Sequence, residues 1–102
     1  MAFIYQQSLI DYMKKHNKST IVVEMVEINN SDFEISEFHI RFVDKRMRDQ
    51  FVDKNGYRVI TTEHGEILLP RFPLDMDENV TFGLKKMLFF NHITCEGIKT
   101  PK

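Results

Sequence analysis

A chain of 102 residues with 42% hydrophobic content, nine Phe and three Tyr has the composition of one folded domain and excludes wholesale disorder. Its Lys+Arg total of 14 against an Asp+Glu total of 15 gives a net charge of -1, which argues against a strongly basic nucleic-acid domain or an acidic tail. Apolar runs as short as Met87-Leu88-Phe89-Phe90 are too brief for a membrane span or a signal-peptide core.

Residues 3–16 read as a helix. Tyr5, Leu9, Tyr12, Met13 and His16 form a stripe at spacings of three and four, and Ile4 and Ile10 widen it. Lys14, Lys15 and Lys18 complement the helix dipole at its C-terminal end, and Asn17 is a suitable stop. Residues 20–28 are rich in β-branched side chains and read as a strand. Asn29-Asn30-Ser31-Asp32 has turn chemistry. Residues 33–43 alternate, with Phe38, Ile40 and Phe42 on one face and Glu37, His39 and Arg41 on the other.

Residues 44–55 support two readings. Met47, Phe51 and Val52 have helical spacing, with Asp44 as N-cap and Gly56 as stop, while Asn55-Gly56 is also a hairpin signal. The helix is preferred. A second hairpin is expected from Tyr57–Thr62 and Glu66–Leu69, turning at His64-Gly65. Pro70-Arg71-Phe72-Pro73 interrupts regular structure. A helix is predicted over roughly 77–90 from Val80, Leu84, Met87 and Leu88, with Asp75, Asp77 and Glu78 ahead of it, although Val80-Thr81-Phe82-Gly83-Leu84 alternates as a strand would. Ile93–Ile98 reads as a last short strand. The expected fold is α+β, one domain over 1–102. It has an N-terminal helix, an antiparallel sheet of two hairpins, a later helix and a short C-terminal strand.

Few residues suggest chemistry. Asp75-Met76-Asp77-Glu78-Asn79 opens like a calcium-binding EF-hand loop, but Val80 replaces the glycine of the sharp turn and Lys86 the closing glutamate. His92, Cys95 and His64, with His16 or His39, would make an unusual zinc set, and Cys95 is the chain's only cysteine. His92 and Cys95 lie three apart, on opposite faces of a strand, which disfavours a thiolate pair. No nucleophile elbow, phosphate loop or dinucleotide fingerprint is present. These absences lead us to expect no catalytic residues, no metal and no cofactor, and no small-molecule substrate is evident.

Two surface classes remain. Lys14, Lys15, Lys18, Lys45, Arg46 and Arg48 would make a nucleic-acid patch if folding gathered them, though Asp44, Asp49 and Asp53 are interspersed. Phe72, Phe89 and Phe90 are candidates for partner contact, since four consecutive apolar residues from Met87 cannot all face one core from a single helix. The preferred expectation is a non-enzymatic protein–protein interaction module, self-associating as a homodimer or binding a protein partner. A small nucleic-acid-binding regulator is the alternative. The single cysteine, the missing secretory signal and a composition with one alanine but abundant Ile, Lys and Asn suggest a cytoplasmic regulatory, accessory or inhibitor protein of a low-GC bacterium or its phage, with no membrane partner.

Overall fold

The structure, a computed structural model, describes residues 2–29, 34–71 and 74–99, excepting the side chains of 27–29 and 34–37. Phe72 and most of the turn expected at 29–32 fall outside those residues. The elements in chain order are β1 (Ala2–Tyr5), α1 (Gln7–Lys15), β2 (Thr20–Asn29), β3 (Glu34–Phe42), α2 (Lys45–Asp53), β4 (Arg58–Thr62), β5 (Gly65–Leu69), β6 (Asp75–Lys86) and β7 (Asn91–Lys99). The mixed α+β class agrees with the sequence reading. The arrangement differs in three places.

The first difference is at the N-terminus. Residues 2–5 form a strand rather than the first turn of a helix, and β1 pairs in parallel with β6, Phe3 opposite Val80 and Tyr5 opposite Phe82. Phe3-Ile4-Tyr5 suits a pleated strand that turns alternate side chains inward. Helix α1 then buries Leu9 and Met13. Its C-terminal end is closed by Asn17 at φ 53°, with the Lys18 amide donating to the Met13 carbonyl (2.9 Å) and the Asn17 amide to the Lys14 carbonyl (3.4 Å). This is the left-handed cap expected of an Asn stop.

The second difference is in the sheet. Hairpins β2–β3 and β4–β5 do form, but a parallel β2–β5 pair joins them, giving the order β3-β2-β5-β4. Ile21, Val22 and Val23 are all buried, as are Ile67, Leu68 and Leu69. Such uninterrupted apolar runs belong to central strands covered on both faces. On one face, Ile21, Val23, Ile67 and Leu69 meet Tyr5, Leu9, Met13, Val80, Phe82 and Ile93, with Phe38, Ile40 and Phe42 packed alongside. On the other, Val22 and Leu68 pack on Phe51 of α2. Helix α2 is the predicted one, and the Asp44 carboxylate accepts from the Met47 amide at 2.8 Å.

The third difference decides where the surface features lie. Residues 75–86 form a long strand, not a helix, and β6 is the centre of a second sheet ordered β1-β6-β7. The alternating pattern prevails because it buries Val80 and Phe82 and turns Leu84 to the same face, while strands on both sides satisfy the β6 backbone. A register irregularity between Met76 and Thr81 lies across from Gly97. Gly97 has φ 103°, and a Cβ there would stand 2.5 Å from the Asn79 carbonyl oxygen. Thus two sheets and α1 enclose the main core, and α2 covers the outer face of the four-stranded sheet.

Candidate docking surface

The β6–β7 hairpin ends in Met87-Leu88-Phe89-Phe90. The Met87 amide donates to the Phe90 carbonyl at 2.8 Å and closes the turn on itself. Lys86 pairs with Asn91, and Lys85 with His92, at the last rungs of the ladder. Because the strands stop there, the four apolar side chains have no facing layer. Met87 is 44% exposed, Leu88 88%, Phe89 90% and Phe90 61%. Burying a side chain of this size is worth about 1.5–3 kcal/mol, a gain the isolated fold leaves unused at Leu88 and Phe89. Contiguous exposed apolar surface of this kind marks an interaction site more often than scattered apolar residues do.

The surroundings of the tip are polar and mainly cationic. A surface groove of about 540 Å³ at its foot is lined by Ser8, Asp11, Tyr12, Lys15, His16, Leu84, Lys86 and Asn91. A neighbouring groove places Lys18 beside the same Tyr12, Leu84 and Asn91, whereas Arg41, on its rim, carries its guanidinium over the Phe51 ring at 5.8 Å. Arg41 is paired with Glu24 at 3.7 Å. Asp11 accepts from the Gln7 amide at 2.8 Å. Leu88 joins the residues singled out from sequence, and Lys85-Lys86, readable in the sequence as a short basic patch, stands beside the rings. The signal was legible as an apolar run bracketed by Lys-Lys and Asn-His, once the run is placed at a turn.

The other basic candidates meet at Lys18, which lines one groove with Lys45 and Arg48 and another with Lys14, but acids are interleaved with them. Lys18, Lys45 and Arg48 share a groove of about 490 Å³ with Asp44, Asp49 and Glu66. Arg48 is bonded to Glu66 and Asp49, leaving little of its guanidinium for a phosphate. Arg46 lies exposed on α2. Lys14 shares a groove with Lys18, Glu63 and His64, and Lys15 lines the groove at the foot of the hairpin tip.

The metal and thiol candidates also separate. His64 is on the β4–β5 turn, its ring tilted against Tyr5 with centroids 5.1 Å apart, and its Nε2 lies 3.0 Å from the Glu63 carboxylate. Tyr5 belongs to β1, on the far side of β6 from the strand that carries His92 and Cys95. Among the described residues no group of three or more His, Cys, Asp or Glu is placed to hold a metal ion. Cys95 packs against the main core, and its thiol is pushed up to about 11, first by burial and then by the neighbouring Glu96. A thiol with that pKa is protonated at neutral pH and a poor nucleophile. Asp75, Asp77 and Glu78 begin a strand rather than a helix. Their extended backbone also cannot wrap a cation as an EF-hand loop does.

Comparison with protein-family models, with curated proteins and with solved structures finds no significant match to this chain.

Proposed function

We propose that the chain is a non-enzymatic interaction module that docks through the tip of the β6–β7 hairpin. The observation that carries this reading is the exposure of Leu88, Phe89 and Phe90 on a closed turn at the end of a paired ladder. Apolar contact at the tip supplies affinity, and the flanking charges set orientation. A small cytoplasmic regulatory or accessory role in a low-GC bacterium or its phage is the setting that composition favours.

The test compares wild type with a Phe89→Asp, Phe90→Asp variant. Both are assayed for self-association by sedimentation, for protein partners by affinity capture, and for unfolding midpoint. The expected result is unchanged stability with loss of association. A wild type and variant that behave identically in every association assay, flotation with vesicles included, would remove the reading. The nucleic-acid alternative has weaker support, because its cations share their grooves with Asp44, Asp49, Glu63 and Glu66 and Arg48 is internally bonded. A DNA and RNA shift assay across salt, repeated with Lys45→Glu, Arg46→Glu and Arg48→Glu together, separates it from the docking reading.

A further inference from the structure

We propose that the surface on which the tip docks is an anionic lipid bilayer, entered superficially by Leu88, Phe89 and Phe90. This rests on the docking reading and names its partner, replacing the expectation from sequence of a protein partner and no membrane.

Three observations favour lipid. The apolar side chains stand exposed on a closed turn beyond the last rung of the ladder, so they suit a fluid medium that needs no preformed socket. The charged groups beside the tip are mainly cationic: Lys85 and Lys86 directly precede it, and Lys15 lines the groove at its foot with Lys86 and a single acid, Asp11. Lysines arranged around an apolar tip complement headgroup phosphates and carboxylates while the rings enter the acyl boundary. Most acids of the hairpin lie away from the tip, Glu96 standing midway opposite Thr81 and Asp75 in register with Lys99. Asp75, Asp77 and Glu78 occupy the opposite end of β6. At about 3.3 Å per residue, Glu78 stands roughly 23 Å from Lys85. That exceeds the screening length of about 10 Å at moderate ionic strength, so these acids do little to oppose attraction at the tip.

Among the described residues no helix is long and apolar enough to cross a membrane, and the proposed contact is peripheral. A single short apolar insertion gives reversible attachment, and the lysines are the second signal that strengthens it. The surface potential of an anionic leaflet would then decide where the protein binds.

The experiment uses the full chain with vesicles of phosphatidylcholine alone and of phosphatidylcholine mixed with phosphatidylserine, read by flotation at low and raised salt. The chain has no Trp, so Phe89→Trp provides a single reporter at the tip. The expected results are binding to the mixed vesicles, weaker binding to the neutral ones, and a blue-shifted Trp emission on the mixed vesicles. Phe89→Asp with Phe90→Asp, and separately Lys85→Glu with Lys86→Glu, should each lower the partition coefficient about tenfold or more. Unfolding midpoints confirm that the variants fold. Failure of wild type to float with mixed vesicles, or flotation that both variants retain, overturns the lipid assignment. If wild type ignores vesicles but associates with itself or a protein in a Phe89- and Phe90-dependent way, the lipid inference falls and the docking reading stands. If the tip variants match wild type in every assay, both fall.

Discussion

Arg48 grips Glu66 through two N–H groups on one edge of its guanidinium, Nε to Oε1 at 3.1 Å and Nη2 to Oε2 at 3.2 Å. The contact ties α2 to β5, and the Glu66 amide in turn donates to the Ser19 carbonyl beside the same groove. It also raises the pKa of a guanidinium already charged at any ordinary pH, first through Glu66 and then through Asp49. The pair therefore acts as a structural clamp. A double-mutant cycle with Arg48→Ala and Glu66→Gln should give a coupling of about 1 kcal/mol, because the geometry is bidentate but partly solvated. High salt should reduce it, and a coupling near zero would show that the pair contributes nothing to stability.

The N-cap of α2 provides a second test. Asp44 accepts from the Met47 amide in a helix that is only nine residues long. Asp44→Ala should cost about 1 kcal/mol in urea unfolding, and Asp44→Asn much less. Equal losses for both would mean that charge rather than hydrogen bonding sets the cap.

Two phenylalanines in one hairpin should behave oppositely. Phe82 is fully buried between the sheets, whereas Phe89 projects from the tip. Phe82→Ala should destabilise the fold by about 3–5 kcal/mol. Phe89→Ala should change stability by no more than about 0.5 kcal/mol while weakening docking. Thermal or urea unfolding of the two variants, measured side by side, reads the difference.

Gly65 opens β5 at φ 146°, and a Cβ there would meet the Ser19 carbonyl oxygen at 2.0 Å. That carbonyl receives the Glu66 amide and cannot withdraw without breaking the bond. Gly65→Ala should therefore cost more than about 2 kcal/mol, combining backbone strain with the clash. A variant as stable as wild type would show that the Ser19–Glu66 segment readjusts freely.

Stability should decline in alkali. The Cys95 thiol ionises at 9.0 when exposed and near 11 in the fold, chiefly because of burial. Between those values the unfolded chain loses the proton while the folded chain keeps it, so the unfolded state gains as pH rises. The full displacement corresponds to roughly 3 kcal/mol, and the thiol's partial exposure lowers the expected loss to about 1 kcal/mol. Burial raises the pKa of Tyr5 and Tyr57 as well, in the same destabilising sense. Urea midpoints at pH 8 and pH 11 should fall less for Cys95→Ala than for wild type.

Local chemistry was enough for the Asp44-capped helix, the two hairpins and the Asn17 stop, because each depends on neighbours a few residues away. It was not enough for residues 77–90. Val80, Leu84, Met87 and Leu88 satisfy a helical period, while Val80, Phe82 and Leu84 satisfy a strand. No local energy separates the two periods decisively. Phe89 and Phe90 were legible as surplus apolar surface, but their place at a turn was not.

The amino-acid order by itself determined a mixed α+β chain, the run of elements from 7 to 69, and an apolar tract flanked by lysines near its end. Only the tertiary structure made strands of residues 2–5 and 75–86. Each supplies backbone partners to the other across more than 70 residues of chain, and β7 completes the ladder. Such pairing is paid for by loop closure and rewarded only when both strands meet over a shared core, so no short window of sequence contains it. The same long-range pairing leaves Leu88, Phe89 and Phe90 beyond the last rung, in contact with solvent.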